Sequence, residues 1–267
     1  MKKTNECEYP AKLVLENVMV SYNGSNALED LSFDVPQGAM VAVIGPNGAG
    51  KSTLFKALVS LLPLKNGSIQ IHDKPLGQHL DCIAYIPQRE EVDWHFPVTV
   101  EGVVLMGRYG KLGWLHSISN QDRQVADQAM QQMGISDLKK KRLDELSGGQ
   151  QQRVFLARAI AQEPHILIMD EPFNGVDINT QEATLAVLEK LSKNNVTVLV
   201  STHDLNLAGE RFSTVLLLNH KLIAYGPPDK VLRSEYITKA FGSHAVSMNG
   251  SFLIDECCAP DHPGGHK

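Results

Sequence analysis

At 267 residues, with 43% hydrophobic and 21% charged residues, the chain has the composition of a folded globular protein with one large core or two modest ones. A formal charge of −5 argues against non-specific grip on nucleic acid, which depends on neutralising many phosphates with Lys and Arg. No run approaches the ~20 consecutive apolar residues that a membrane-spanning helix needs.

Met1–Glu6 carries two lysines with no apolar core behind them, so no secretory signal is read and the chain is expected in the cytosol. Cys7, Cys82, Cys257 and Cys258 lack a disulfide-framework spacing, which fits a reducing compartment.

In chain order, Leu13, Leu15, Val18 and Val20 read as one period-2 face, interrupted by Asn23-Gly24. A second run, Leu28–Val35, stops at Pro36-Gln37-Gly38, so the chain opens on hairpin-like strands. Met40–Ile44 is apolar throughout, as expected of a strand buried on both faces of a parallel sheet. A Gly-rich turn follows, then a predicted helix, Ser52–Leu62, stopped by Pro63. Ser68–His72 and Asp81–Ile86 read as strands. From about Thr99 to Ala161 the pattern is helical, including an amphipathic stretch from Gln121 to Met133 that ends at Gly134. Strands return at Ile166–Met169, Val196–Ser201 and Val215–Leu218, with helices Thr180–Leu191 and Leu205–Glu210 between them. The expected architecture is an α/β core interrupted by a mostly helical insert at roughly 89–163. After Gly242 the polar, Gly/Pro-rich chain reads as a flexible tail, 244–267.

Gly45-Pro46-Asn47-Gly48-Ala49-Gly50-Lys51-Ser52-Thr53 follows the buried strand and opens a helix, which is the context of a phosphate-binding P-loop. Gly48 and Gly50 let the backbone curl so that N–H groups converge on phosphate oxygens, and the helix start adds the positive end of its dipole. Lys51 reaches the β- and γ-phosphates, and Ser52 offers its hydroxyl to Mg²⁺. The strand Ile166–Met169 ends in Asp170 and Glu171. Asp170 suits Mg²⁺ binding, and Glu171 suits a general base that takes a proton from attacking water. Leu146-Ser147-Gly148-Gly149-Gln150-Gln151-Gln152-Arg153 places a helix N-cap and two glycines ahead of an amphipathic run, a second ready-made phosphate site.

With these three elements in this order, the sequence resembles the ATP-binding cassette (ABC) family over about 11–243. The resemblance implies a P-loop NTPase core: a RecA-like mixed sheet with an antiparallel β subdomain and an inserted α-helical signature subdomain. It implies ATP hydrolysis with Mg²⁺, and a nucleotide shared between the P-loop of one chain and the signature, Ser147, Gly148, Gly149 and Gln150, of another. Tyr22 resembles the aromatic that stacks on adenine. Gln88, in Tyr85-Ile86-Pro87-Gln88, resembles the glutamine that senses Mg²⁺ and water. Asp177 matches the D-loop aspartate, although Asn174-Gly175-Val176 departs from the commoner Ser-Ala-Leu. His203 resembles the switch histidine at the γ-phosphate.

Trp94 and Phe96 lie in a polar, Pro-containing loop after Gln88 and have two readings. They form an exposed docking patch for a membrane subunit, or they pack into the insert's own core; the resemblance favours docking. The run Asp93–Val100 with Met106-Gly107-Arg108-Tyr109-Gly110 resembles the ATPase subunits of bacterial manganese, zinc and iron importers. That implies a homodimer at the cytoplasmic face of the membrane, an integral permease and an extracytoplasmic metal-binding protein, with manganese ranked first as cargo. The alternatives are a cassette for another cargo such as an iron siderophore, a lipid exporter, a soluble cassette of DNA repair or translation, and a non-hydrolysing regulatory module. Cys257, Cys258, His262 and His266 read first as part of a solvated terminus, since adjacent cysteines are not a standard zinc spacing; the alternative is metal binding through their thiolates and imidazoles.

Overall fold

The computed structural model describes residues 12–242 except 23, 79 and 113–116, together with 245–248 and 251–254. The chain opens with β1 (Leu13–Tyr22) and β2 (Ser25–Val35), then β3 (Met40–Ile44), α1 (Lys51–Leu58), β4 (Asn66–Ile71), β5 (Lys74–Pro75) and β6 (Ile83–Ile86). Helices α2 (Val100–Met106), α3 (Asn120–Gln132) and α4 (Gly148–Ala161) follow. Next come β7 (Ile166–Met169), α5 (Ile178–Lys193), β8 (Thr197–Thr202), α6 (Leu205–Arg211), β9 (Thr214–Asn219) and β10 (Lys221–Gly226). Last are α7 (Pro228–Val231), α8 (Ser234–Phe241), β11 (Ala245–Met248) and β12 (Ser251–Ile254).

A six-stranded sheet in the order β10-β9-β3-β8-β7-β6 forms the centre; only the β9–β10 pair is antiparallel. A separate antiparallel sheet runs β2-β1-β4-β5. Side chains alternate across a strand, so β3 divides itself between two cores. Met40, Ala42 and Ile44 face the cluster that contains α2, α3, α4 and α5, while Val41 and Val43 face α1 and the antiparallel sheet. Both faces of the sheet are therefore covered, which is why β3 and β7 are apolar throughout.

Three sequence expectations change here. Leu13, Leu15, Val18 and Val20 share one buried face, but their spacing switches parity between Leu15 and Val18. A register irregularity at Asn17, whose φ is 50°, absorbs the extra residue. The helix expected over Ser52–Leu62 ends at Leu58, well before Pro63. Ser60, at φ 57°, donates its amide to Ala57 O, and Leu61 donates to Lys56 O, the hydrogen-bond pair of a Schellman motif with serine in the usual glycine place. β10, α7 and α8 had no clear sequence signal. β10 is half-buried, and it is tied to β2 by the Tyr225 hydroxyl donating to Asp34 O and by the Phe33–Tyr225 ring contact. Finally, the segment read as tail begins with a two-stranded hairpin, β11 with β12.

Candidate nucleotide site

The carboxyl ends of four adjacent strands, β3, β8, β7 and β6, carry the P-loop, His203, Asp170-Glu171 and Gln88 respectively. Chain order does not place them side by side; sheet order does. Two glycines of the P-loop are sterically required. A Cβ on Gly45 would lie 2.1 Å from Leu218 O, inside the backbone of β9. Gly50, the N-cap of α1, sits at φ 96°, and a Cβ there would also meet Leu28 and the carbonyl of Ala27.

α1 has no side-chain cap, so the loop must supply what its first turn lacks. Lys51, 5% exposed, folds back over the loop. Its Nζ donates to Gly45 O at 2.9 Å and to Pro46 O at 3.2 Å, and it lies 3.7 Å from Glu171 Oε1. Asn47, Gly48, Ala49, Gly50, Lys51, Ser52 and Thr53 line one cleft of about 230 Å³ with Tyr22, Ala27, Gln88 and Glu171. Tyr22, 41% exposed, also lines this cleft.

Asp170 is 1% exposed. Its Oδ1 accepts from the Ser201 hydroxyl at 2.6 Å, while Oδ2 is buried with no hydrogen-bond partner. Burial pushes the Asp170 carboxyl up from the usual carboxylate range, against the Ser201 and Ser52 hydroxyls. A buried, half-satisfied carboxylate beside Ser52, with Gln88 Nε2 donating to Ser52 Oγ at 3.3 Å, fits a hard cation with oxygen ligands. Glu171 holds a left-handed φ of 47°, a conformation costing of order 1–3 kcal/mol for a residue other than glycine. Its amide donates to Ser201 Oγ at 2.7 Å, and Asn174 Nδ2 donates to its Oε2. His203 Nδ1 lies 4.0 Å from the same Oε2. Ser201 thus links both carboxylates, and Glu171 stands between a lysine and a histidine at the open side of the cleft.

The signature residues lie elsewhere. Ser147 Oγ accepts from Gln150 N at 3.4 Å and Gln150 Oε1 accepts from Ser147 N at 3.0 Å, a reciprocal capping box at the start of α4. None of Ser147, Gly148, Gly149 and Gln150 lines the P-loop cleft; Gly148 lines a neighbouring cavity with Arg89, Trp94, Asp170 and Glu171. Asp177 caps α5, with Oδ1 accepting from the amides of Asn179 and Thr180 at 3.0 Å each. The aromatic pair divides between its two readings. Trp94 donates to Arg89 O and packs on Phe155 with ring centroids 5.1 Å apart, while Phe96 is 53% exposed. Cys257, Cys258, His262 and His266 lie outside the described residues.

Sequence reasoning missed Ser201 and Asn174. The signal for Ser201 was a hydroxyl following the apolar run Val198–Val200, and for Asn174 its place three residues after Glu171.

A glycine-bordered strand-to-helix turn with an inward lysine, facing a buried aspartate and a glutamate across the sheet ends, defines a P-loop nucleoside triphosphatase. The ABC transporter family model matches residues 28–174. The manganese transport system ATP-binding protein MntB of Bacillus subtilis is 44% identical, covering 93% of this chain and 97% of its own. The zinc transport system ATP-binding protein TroB of Treponema pallidum is 42% identical over 87% of this chain and 88% of its own. Among solved structures, a metal-chelate type ABC transporter in an inward-facing conformation aligns with TM-score 0.78 at 30% identity, covering 91% of this chain and 95% of its own. This chain belongs to the ABC transporter family, as an ATP-binding subunit whose ATP hydrolysis is coupled to transport. Among the described residues no helix is long and apolar enough to cross a membrane.

Proposed function

We propose that the chain powers import of a divalent metal ion, manganese first and zinc or iron next. It works as a homodimer at the cytoplasmic face of the cell membrane, beside an integral permease and an extracytoplasmic metal-binding protein. The support for the cargo is the set of relatives: manganese and zinc systems at the identities given above, and the chelated iron transport system membrane protein YfeB of Yersinia pestis at 40%. The ATPase domain is assigned to 11–243, with the helical insert at 89–163 and the remainder, 244–267, as an appendage.

In this reading Ser52, Asp170 and Gln88 would hold Mg²⁺, which would supply charge neutralisation at the phosphates; the unpartnered Oδ2 of Asp170 supports the assignment. Lys51 leaves its loop carbonyls for the β- and γ-phosphates. Glu171 accepts the proton of the attacking water, and His203 and Gln88 orient the reacting group from either side. Tyr22 stacks on the adenine, and Gly45 to Thr53 wrap the triphosphate.

The single observation that carries the dimer is the separation of the capped start of α4 from the P-loop cleft. A triphosphate held by α1 gains a second helix start only from another chain, with Ser147, Gly148, Gly149, Gln150 and Asp177 facing it across the interface. Exposed Phe96 supports docking of the permease on the helical face, with Trp94 as its internal support. Glu171→Gln tests the arrangement. Hydrolysis is expected to fall by about 10²–10⁴-fold while Mg-ATP binding persists, and light scattering should show a dimer only with Mg-ATP. A variant that binds saturating Mg-ATP and stays monomeric, alone and with its permease, overturns the shared-nucleotide reading. Manganese uptake that is unchanged in cells carrying only this variant overturns the cargo.

A further inference from the structure

The opposite, N-terminal ends of β6 and β7 hold a side-chain cluster that nucleotide chemistry does not use. His72 follows β4 in a turn with φ 53°, Cys82 immediately precedes β6, and His165 immediately precedes β7. His72 and Cys82 are 4% and 8% exposed. One nitrogen from each imidazole and the Cys82 sulfur all lie within 4.8 Å of one another. The two rings meet edge to face, with His72 Nε2 2.9 Å from His165 Nδ1, so one proton is shared between them.

The backbone around the cluster is fixed. His165 N donates to Cys82 O at 2.8 Å, and His165 O accepts from Thr197 N at 2.9 Å. Gln162 Nε2 brackets the cysteine by donating to Asp81 O at 3.2 Å and to Ile83 O at 2.6 Å. Three side chains from three separate segments thus converge on one point from anchored positions, tying the antiparallel sheet to the edge of the central sheet.

We propose that His72, Cys82 and His165 form a binding site for a thiophilic divalent cation, with Zn²⁺ as its type ligand. Two imidazoles and a thiolate make a donor set that prefers zinc and related metals and disfavours Mg²⁺ and Mn²⁺, which seek oxygen. Zinc–nitrogen bonds of about 2.0–2.1 Å in a tetrahedral site need a nitrogen–nitrogen separation of about 3.3 Å, so the rings part by a few tenths of an ångström as metal replaces the shared proton. That proton moves to the other nitrogen of its ring, and binding releases the Cys82 thiol proton to solvent. A water or a fourth side chain completes the coordination. The site is distinct from the Ser52–Asp170 oxygen site and does not depend on which cargo is transported. Because β6 leads to Gln88 and β7 to Asp170 and Glu171, metal here braces the strands that carry the catalytic groups.

The test titrates the metal-free full chain with Co²⁺ and then Zn²⁺, without nucleotide. A thiolate-to-cobalt charge-transfer band is expected in wild type, displaced by Zn²⁺ and indifferent to Mn²⁺ and Mg²⁺. The Cys7→Ser/Cys257→Ser/Cys258→Ser triple variant, in which Cys82 is the only thiol, should keep the band. Cys82→Ser should abolish it, and His165→Gln should weaken cobalt affinity at least about tenfold. Absence of the band from wild type, its loss in the triple variant, or its survival in Cys82→Ser overturns the proposal. A Cys82→Ser protein that fails to fold leaves the triple variant to decide, since a band there belongs to Cys82 alone.

Discussion

α1 and α4 both begin beside glycines, yet α1 has no side-chain cap while Ser147 and Gln150 close a capping box on α4. At α1 the first turn lines a cleft, and Lys51 donates to Gly45 O and Pro46 O. A glycine-bordered helix start of this kind suits an anion. At α4 the box secures the turn without any ligand and leaves the amides of Gly148 and Gly149, at the first two helical positions, without intrahelical acceptors. A Cβ on Gly148 would lie 2.8 Å from the Arg89 guanidinium, so the glycine also admits a close cation beside that turn. One helix start lines a cleft, and the other is closed by its own side chains.

The largest effect expected from a change at either helix start breaks the first half of the comparison. Lys51→Ala removes the only side-chain cation among the described residues lining the P-loop cleft and should lower steady-state ATP hydrolysis by about 10²–10³-fold, the scale for losing one charge-stabilising donor in a reaction centre. Hydrolysis within a few-fold of wild type would remove the lysine from the mechanism.

Asp122→Asn addresses what keeps α4 rigid. Arg108 is buried between Asp122 Oδ1 at 3.0 Å, Glu163 Oε2 at 2.7 Å and Ala161 O at 2.7 Å, joining α3 to the end of α4. Breaking a buried pair typically costs ~3–5 kcal/mol, and the retained Glu163 contact reduces the expected loss to about 2–3 kcal/mol by denaturant unfolding. The Ser119 hydroxyl, opposed by burial and helped by the Ser119 amide and Arg108, holds the Asp122 carboxyl below the usual carboxylate range. A depressed carboxylate stabilises the fold above its unfolded pKa of about 3.9, and the contribution disappears as pH falls through the lower folded value. The variant should therefore flatten the acid limb of the stability profile below about pH 4. An unchanged limb would show that Asp122 is not held this way.

Ser147→Ala gives the smallest effect and the sharpest contrast. Losing the cap should cost about 1 kcal/mol. Hydrolysis at dimer-forming concentrations should fall, while ATP affinity of the dilute chain stays at the wild-type value. Weakened ATP binding by the dilute chain, measured by calorimetry, would place the signature in the same site as the P-loop.

Much of the site was legible because its physics is local. Gly45 to Thr53 announces a strand, a turn and a helix in one unbroken stretch, and the strands Met40–Ile44 and Ile166–Met169 were read to the residue because both faces are buried. The misreadings are local as well: Ser60 took a left-handed position that sequence rules reserve for glycine, and Pro63 misled the helix end. The Trp94–Phe96 pair was undecided because alternate residues of a loop carry no periodicity; Phe155, far along the chain, supplies the packing that claims Trp94.

Sequence alone determined the chemistry on offer: a glycine-rich phosphate-binding turn, a carboxylate pair at a strand end, and a glycine turn behind a serine N-cap. Each lies within a few consecutive residues whose dihedral preferences and hydrogen bonds scarcely involve the rest of the chain. Tertiary structure alone decided which of these meet. Sheet order differs from chain order, so β8 brings Ser201 to both carboxylates and β7 carries His165 to His72 and Cys82. The reason is that strand pairing is a long-range bargain between backbone hydrogen bonds and burial on both faces, and no window of neighbouring residues contains both partners.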